Sequence, residues 1–289
     1  MKRVKPKKHL GQHFLVDLDI ARRIADTVDA CPDLPVLEIG PGMGVLTQYL
    51  IQKPRPFKAV EIDRESVAYL RKMDEESWMR DEGAWLIEGD FLRMDLTEVF
   101  DRQPFVLTGN YPYDISSQIF FKMLDNRDLI PCCTGMIQRE VALRMAAKPG
   151  NKQYGILSVL MQAWYDVEYL FTVEPDVFNP PPKVQSAVIR LTRNKVTDLG
   201  CDERLFRRVV KTVFNQRRKM LRVSLRQILP QESILQTPPS LNPSPSERLG
   251  ENSGLLGSLR PEQLTIAQFV DLTNWVASEL KDSTDEHGK

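Results

Sequence analysis

The sequence has 289 residues, a formal net charge of zero and a hydrophobic fraction of 42%. This length allows one large domain and one small domain, and the composition is typical of a soluble globular protein. No apolar run is long enough to span a bilayer, and the basic N-terminus has no apolar stretch behind it, which excludes a signal peptide. We therefore expect a cytoplasmic protein, with a monomer as its simplest state.

The four cysteines are Cys31, Cys132, Cys133 and Cys201, and they lack the paired spacing of a metal site. Because cytoplasmic proteins are kept reduced, we expect these residues to be buried or incidental thiols. The sequence predicts no metal site.

Short β-rich runs alternate with helical patterns over the first two-thirds of the sequence. A helix with Ile20, Ile24 and Val28 on one stripe comes first. The segments that follow are PVLEIG with VLTQYLIQK, FKAVEID with RESVAYLRKM, AWLIEGD, PFVLTGN, TGMIQRE with VALRMAA, GILSVLMQAWYDVEYLFTVE and KVQSAVIRLTR. This order predicts an α/β fold with a doubly wound, Rossmann-like parallel sheet and an antiparallel hairpin at one edge.

The last third of the sequence has a different pattern. We expect a first domain over 1–195 and a small helical domain over 196–289, with a linker near 194–203. The segment LFRRVVKTVF is an amphipathic helix in this interpretation, and TPPSLNPSPSERLGENSGLLGS is a mobile loop. Pro261 is expected in the first turn of a final helix, and the tail KDSTDEHGK is expected to be disordered.

Charge is distributed unevenly along the chain. The stretch 204–226 contains nine basic residues and no acidic residue, and five further bases lie within residues 2–8. The segment 61–102 has thirteen acidic residues against six basic ones. A solvated helix face is the common explanation of a charge run, but an uninterrupted basic stretch favours a polyanion held on one face.

Three consecutive predicted strands end in residues that are suited to a nucleoside ligand. The first ends in the glycine loop Gly40-x-Gly42-x-Gly44, which lacks the third-glycine spacing of a dinucleotide fingerprint. The next two end at Glu61, placed to accept hydrogen bonds from ribose hydroxyls, and at Asp90, placed to contact an adenine amino group. Each feature alone is as typical of a turn or a solvated strand end, but together they predict a ligand crevice.

The fourth predicted strand ends in Asn-Tyr-Pro-Tyr, at residues 110–113. Methylation of an adenine amine requires acceptors for its two protons, and the Asn110 side chain and the Pro112 carbonyl can supply them. Tyr113 offers a ring for stacking on a flipped base, and Phe178 of FNPPPKV offers a second. The alternatives are an ordinary turn for residues 110–113 and a core position for Phe178.

The sequence resembles the small-subunit (16S) rRNA adenine N6-dimethyltransferases of the KsgA/RsmA family. The similarity extends over nearly the whole chain, through KKHLGQHFLVD, VLEIGPGMGVLT, EID, EGDF, NYPYDISS, FNPPPKVQSAV, FNQRRKMLRVSL and RPEQLTIAQF. The resemblance implies a methyltransferase that uses S-adenosyl-L-methionine to dimethylate N6 of two adjacent adenosines near the 3′ end of the small-subunit rRNA, in the immature small ribosomal subunit. It implies cofactor contacts from His13, Leu15, Gly40, Gly42, Glu61, Asp90 and Asn110, and target-base contacts from Asn110, Pro112, Tyr113 and Phe178. From the uninterrupted basic stretch we expect rRNA phosphate contacts by Arg217, Arg218, Lys219 and Arg222.

Two residues depart from the family pattern, which has Asn at the position of His13 and Leu at that of Tyr111. A histidine introduces a hydrogen bond that can depend on pH, and Tyr111 is either a bulkier support or a change in the pocket. Three alternative functions stay open: a non-catalytic ribosome-assembly factor, a DNA N6-adenine methyltransferase with a similar loop, and a dinucleotide-dependent dehydrogenase.

Overall fold

The computed structural model describes residues 13–73, 85–229 and 259–286. The chain divides into two compact units, one drawn from 1–143 and 164–194 and the other from 144–163 and 195–289. The segment 144–163 belongs to the second unit, although it precedes the last strands of the first unit in the sequence. The N-terminal basic residues and the predicted mobile loop at 237–258 lie outside the described residues.

The first unit is built on a seven-stranded sheet. The strands in the described residues are β1 (Phe14–Leu15), β2 (Val36–Ile39), β3 (Phe57–Glu61), β4 (Leu86–Glu88), β5 (Val106–Gly109), β6 (Cys132–Gln138), β7 (Tyr165–Val173), β8 (Phe178–Asn179) and β9 (Ser186–Arg193). The order in the sheet is β4-β3-β2-β5-β6-β9-β7, and the first five of these strands are parallel. β9 runs antiparallel to both β6 and β7, so the predicted doubly wound sheet with an antiparallel edge is confirmed.

The central strands are buried on both faces. Val36 and Leu37 of β2 point to opposite faces, and neither side chain is exposed to solvent. All four residues of β5 are buried as well. Continuous apolar runs such as VLEI and VLTG are typical of parallel strands covered by helices on both sides, which is why the sequence pattern located them correctly.

The helices in the described residues are α1 (Leu18–Asp26), α2 (Thr47–Leu50), α3 (Arg64–Met73), α4 (Ser116–Asp125), α5 (Arg139–Ala146), α6 (Ile156–Gln162), α7 (Glu203–Asn215), α8 (Leu221–Ser224) and α9 (Ile266–Glu286). The Asp17 carboxylate caps α1 by accepting from the backbone N–H groups of Asp19 and Ile20. Ile24 and Val28 pack in the core with strand residues, which confirms the predicted stripe. No helix among the described residues has the length and apolar character needed to cross a membrane.

The second unit is helical in its described parts. The Asp202 carboxylate caps α7, and the buried face of α7 carries the predicted apolar residues Phe206, Val209, Val210, Val213 and Phe214. The Phe214 ring lies 5.8 Å from the Phe269 ring of α9, so the two helices share an aromatic contact. An amphipathic helix of this kind obtains its stability mainly from packing of the apolar face.

The helix predicted over VLTQYLIQK is much shorter than expected. Only α2 is helical, because Gly44 adopts a left-handed φ of 78° and the chain turns up to Leu46. At the other end Pro54 disfavours helical geometry at Lys53. The glycine loop therefore extends further along the chain than the sequence pattern indicated.

The basic stretch 204–226 is not one continuous helix. α7 ends at Asn215, Gln216 leaves the helical region with a ψ of 41°, and Met220 is extended before α8 begins. The backbone N–H of Leu221 donates to the Leu259 carbonyl, so this break is stabilised by a contact that is distant in the sequence.

The two predictions at the C-terminus are also wrong. Pro261 opens a separate 3-10 turn, because Leu264 is extended and α9 begins only at Ile266. α9 then continues to Glu286, through most of the tail that was expected to be disordered. Once the packed part of a helix has formed, each added residue gains a hydrogen bond without a new nucleation cost.

Two of the four cysteines are not free thiols. Cys31 and Cys132 form a disulfide with their Cα atoms 5.9 Å apart, and Cys132 is the first residue of β6. The two residues are 101 positions apart in the sequence, so only the folded chain brings them together. Cys133 and Cys201 are free, and Cys133 is buried as expected.

Candidate active site

A cavity of about 230 Å³ lies in the first unit, where β2, β3, β4 and β5 end. The carboxyl ends of parallel strands are the usual ligand site of an open α/β sheet. The structure brings nine of the predicted cofactor and base contacts to the wall of this cavity: His13, Leu15, Gly40, Gly42, Glu61, Asp90, Asn110, Pro112 and Tyr113. Of the residues predicted for cofactor or base, Phe178 is the one that does not line it.

The glycine loop is shaped by residues that adopt conformations other amino acids avoid. Gly40 and Gly42 have φ angles of 64° and 58°, in the left-handed region that favours glycine. A Cβ atom at Gly42 would lie 3.1 Å from Cε1 of Phe14, so the loop and the segment before α1 are in close contact. The backbone N–H of Gly42 donates to Oε2 of Glu61 at 3.0 Å, which ties the loop to the end of β3.

Glu61 is a buried carboxylate at the cavity wall, with 3% of its surface exposed. Its Oε1 atom accepts from the backbone N–H of Asp63 at 2.8 Å, so each carboxylate oxygen has one backbone donor. Burial raises the pKa of Glu61, and these backbone hydrogen bonds partly oppose that rise. Each oxygen retains a further lone pair, so the carboxylate can still accept from ligand hydroxyls.

Glu38 is a cavity residue that our sequence analysis missed. It belongs to β2, only 2% of its surface is exposed, and its Oε2 atom accepts from the Thr47 hydroxyl at 2.7 Å. Desolvation raises the pKa of Glu38 to about 8; the Thr47 bond lowers it and nearby Glu61 adds to the rise. The signal was present, since a glutamate inside the apolar run VLEIG is unusual in a buried strand.

The remaining walls combine one acid with apolar surface. Oδ1 of Asp90 accepts from the backbone N–H of Leu92, and Oδ2 lies 3.4 Å from Nε of the exposed Arg93. Ile62 also lines the cavity with 53% of its surface exposed, which is unusual for a large apolar side chain. Our sequence analysis also missed Ile62 as a cavity residue, although its position directly after the predicted ligand residue Glu61 indicated that it lies near the ligand. An apolar wall beside carboxylates suits a flat base attached to a ribose.

Asn110 follows β5 and projects its side chain into this cavity. Its backbone forms a bridge to Met136, which extends the sheet by one residue. Its Nδ2 atom donates to the His13 carbonyl at 3.2 Å. Within the described residues no donor contacts Oδ1, so the amide nitrogen is committed to the protein and the oxygen is available to a ligand.

Pro112 and Tyr113 form the rest of the predicted loop. The Pro112 carbonyl accepts a long bond of 3.3 Å from the Ile115 N–H, which leaves it a lone pair for a second donor. The Tyr113 hydroxyl is 2.5 Å from Oγ of Ser186, and this contact anchors the ring to β9. The ring centroids of Tyr113 and His13 are 5.6 Å apart.

Tyr111 is a support of the loop and does not enlarge the pocket. Its side chain is 1% exposed, and its hydroxyl donates to the Thr134 carbonyl at 2.8 Å. The ring packs edge-on against Phe120. Tyr111 therefore anchors the loop to β6, which answers the question that the sequence left open.

β1 and β8 form a two-stranded antiparallel sheet. His13 directly precedes β1, and Phe178 is the first residue of β8. Nδ1 of His13 is 2.9 Å from the Pro180 carbonyl, and because a carbonyl only accepts, Nδ1 carries the proton. Phe178 is 3% exposed, pairs with Leu15 and packs in the core, so its position does not support a stacking role.

The predicted RNA contacts belong to the second unit. Nε of Arg217 is 3.2 Å from the Glu262 carboxylate, and its Nη2 atom donates to the Asn151 carbonyl, so this residue has a structural partner. Arg218, Lys219 and Arg222 are exposed. These three residues are the better candidates for phosphate contacts.

The match to a family model decides the relationship of this chain to known proteins. The family described as "Ribosomal RNA adenine dimethylase" matches residues 3–241. The chain belongs to the ribosomal RNA adenine dimethylase family. The resemblance inferred from its motifs is thereby confirmed.

Relatives of this rRNA adenine dimethylase family member cover almost its whole length. The ribosomal RNA small subunit methyltransferase A of Phocaeicola vulgatus is 62% identical over 282 residues, which are 98% of this chain and 93% of the relative. The protein of the same name from Bacteroides thetaiotaomicron is 61% identical over 284 residues, with 98% of each chain covered.

Two solved structures resemble the dimethylase fold. A dimethyladenosine transferase from Plasmodium falciparum superposes with a TM-score of 0.62 at 27% identity, over 74% of each chain. The 23S rRNA methyltransferase ErmE has a TM-score of 0.59 at 25% identity, over 91% of this chain and 99% of the other. The Rossmann-like methyltransferase fold expected from the resemblance is confirmed.

Proposed function

We propose that this protein dimethylates N6 of two adjacent adenosines in the hairpin near the 3′ end of small-subunit rRNA, with S-adenosyl-L-methionine as methyl donor. Family membership supports rRNA adenine dimethylation, and the names of the close relatives support the small subunit. The observation that carries the proposal is the orientation of Asn110, whose amide nitrogen is bonded to His13 and whose oxygen is available in the cavity.

The residues around the cavity fit the proposed cofactor. Glu61 supplies buried carboxylate oxygens for ribose hydroxyls, Asp90 an acceptor for the adenine amine, and Ile62 an apolar wall for the adenine ring. The positive φ angles of Gly40 and Gly42 open a cradle that a Cβ atom at Gly42 would close against Phe14. When bound, S-adenosyl-L-methionine supplies a methyl group on a positively charged sulfur, already activated for in-line displacement.

The protein's own contribution is to orient the target amine. The adenine N6 lone pair is delocalised into the ring, so the nitrogen becomes a better nucleophile when its two hydrogens are held out of the ring plane. Oδ1 of Asn110 and the Pro112 carbonyl are the two acceptors, and the anchored Tyr113 ring offers a stacking surface. The methylated nitrogen is cationic and strongly acidic, so its proton can pass to water without a strong general base.

Asn110→Ala is the direct test of this proposal. We expect methyl transfer to fall by at least about a thousandfold, because the substitution removes an acceptor that acts in the transition state. Cofactor affinity should stay within about tenfold, since Glu61 and the glycine loop are unchanged. Single-turnover transfer of labelled methyl groups to unmethylated small subunits, together with calorimetric titration of the cofactor, measures both quantities.

The matched control is Asn215→Ala, at an exposed position at the end of α7. This variant should behave as the wild type in both assays. Transfer at the wild-type rate by the Asn110 variant would show that the amide does not hold the target base.

Two alternatives have a clear readout. A non-catalytic assembly factor would transfer no label to small subunits, and the intact constellation of Glu61, Asp90 and Asn110 speaks against it. A DNA N6-adenine methyltransferase would label duplex DNA in preference to ribosomal subunits. Mass mapping of methylated adenosines in small-subunit rRNA, with and without this protein in the cell, identifies the target nucleotides.

We also propose that the exposed bases of the second unit bind rRNA phosphates of an immature small subunit in the cytoplasm. Arg218, Lys219 and Arg222 carry this part of the proposal, because Arg217 is engaged with Glu262. Contacts of this kind add affinity and register without reading the base sequence.

A further inference from the structure

The segment His13–Leu15 contacts three different loops of the first unit. Phe14 lies against the glycine loop at Gly42. β1 pairs with β8 and so contacts the proline-rich loop that begins at Asn179. The His13 carbonyl accepts from Asn110 of the loop 110–113. One short segment therefore connects the elements proposed to bind the cofactor and the target base.

Within this segment, His13 makes one hydrogen bond through its side chain and one through its main-chain carbonyl, each to a different loop. Its side chain donates from Nδ1 to the Pro180 carbonyl at 2.9 Å, and its main-chain carbonyl receives Nδ2 of Asn110 at 3.2 Å. β1 is only two residues long, so its ladder by itself constrains the adjoining peptide weakly. The side-chain bond adds a constraint at the residue whose carbonyl orients Asn110.

We propose that His13 is a positioning residue for the methyl-transfer reaction: by its bond to Pro180 it holds its own carbonyl where it fixes the amide plane of Asn110. This inference rests on the proposed function of Asn110 as an acceptor for the target amine. It assigns to His13 a role in orienting a catalytic group, in addition to any contact with the cofactor.

The position of the donor atom explains which substitutions preserve this role. Nδ1 of histidine and Nδ2 of asparagine are both bonded to Cγ, so asparagine can place an N–H donor at the same distance from the backbone. In glutamine the amide lies one bond further out, at the position of Nε2 of histidine. His13→Asn therefore keeps the bond to Pro180, and His13→Gln loses it while retaining a polar side chain.

The first experiment examines the wild-type protein by nitrogen NMR with labelled histidine. The proposal expects the neutral ring of His13 to carry its proton on Nδ1, a tautomer that is the minor form of free histidine. An unprotonated Nδ1 at alkaline pH would overturn the proposal. This measurement needs no variant and no activity.

The second experiment follows the side-chain amide of Asn110 in protein labelled at asparagine. In His13→Asn its two amide proton signals should stay at their wild-type positions, and in His13→Gln they should move towards those of a solvated amide. The other asparagine signals and the melting temperature report whether the variant is folded. Unchanged Asn110 signals in a folded His13→Gln protein would contradict the positioning role.

Methyl-transfer rates complete the test and separate it from the proposed function. Loss of one hydrogen bond predicts a single-turnover rate about tenfold lower in His13→Gln, with His13→Asn within about threefold of the wild type. Equal rates in all three proteins, or equal loss in both variants, would overturn the inference. Absence of transfer by the wild type would instead contradict the proposed function.

Discussion

At the scale of single residues, burial decides what the side chains that line the cavity can do. Glu38 and Glu61 are both buried carboxylates, but Glu61 receives two backbone N–H groups and Glu38 one hydroxyl. Burial removes water from Glu38, and fewer hydrogen-bond donors replace that water than at Glu61. The pKa of Glu38 therefore rises to about 8. Near neutral pH its carboxyl group is therefore mostly protonated, which lowers the repulsion from Glu61.

This difference predicts a pH-dependent effect of Glu38→Gln on stability. The pKa of Glu38 is raised from 4.5 to about 8, so between these values the folded protein binds more protons than the unfolded chain. Its contribution therefore makes the free energy of unfolding fall as pH rises through this window. Glutamine has no proton to lose, so the variant should become relatively more stable by on the order of 3 kcal/mol from about pH 5 to pH 8.

Denaturant unfolding at a series of pH values measures this difference. The matched control is Glu98→Gln, at a position whose side chain is exposed, where we expect no comparable change with pH. A constant stability difference between wild type and Glu38→Gln across the window would show that Glu38 is ionised in the folded protein.

At the scale of secondary-structure elements, the loop 110–113 depends on the close approach of β5 and β6. A Cβ atom at Gly135 would lie 2.4 Å from the Gly109 carbonyl oxygen and 2.7 Å from Cε2 of Tyr111. Gly135 also has a φ of 142°, which side chains rarely allow. The large ring of Tyr111 is therefore accommodated by a glycine on the neighbouring strand.

We predict that Gly135→Ala destabilises the protein by more than about 3 kcal/mol, because both the backbone conformation and the space are lost. Gly89→Ala is the matched control, since no atom lies within 4 Å of a Cβ there and its φ is not positive. Chemical denaturation compares the two variants. A small effect at Gly135, similar to that at Gly89, would mean that β5 and β6 can separate without cost.

At the scale of the whole molecule, a net charge of zero conceals an uneven distribution of charge. The bases of 204–226 belong to the second unit, whereas the acidic segment 61–102 belongs to the first. An RNA-binding face needs local positive charge, and the average over the chain says little about it.

The triple substitution Arg218→Ala, Lys219→Ala and Arg222→Ala tests this surface. Binding to small subunits should weaken, and the slope of log affinity against log salt should become shallower by roughly 2 to 3, since each lost phosphate contact removes about 0.7–0.9. The control removes three exposed bases from α3, Arg64, Arg71 and Lys72, with the same change in net charge. An equal loss of slope in both proteins would indicate a general charge effect without a defined binding face.

The sequence by itself determined the class of fold and nine residues of the cavity wall. Apolar runs located the strands because parallel strands buried on both faces leave a strong local pattern, as in VLEI and VLTG. The residues at the ends of these strands, such as Glu61, Asp90 and Asn110, meet in space as a consequence of parallel topology alone. Predicting them required no knowledge of side-chain packing.

Only the tertiary structure decided how individual side chains are used. Tyr111 anchors the loop 110–113, Phe178 packs in the core, and Arg217 is engaged with Glu262, although each belongs to a motif that suggested contact with substrate or RNA. The disulfide between Cys31 and Cys132 and the raised pKa of Glu38 likewise depend on neighbours from distant parts of the chain. A local sequence pattern indicates whether a residue lies in a strand, a helix or a loop. The desolvation of its side chain and its hydrogen-bond partners are set by segments that meet only when the chain folds.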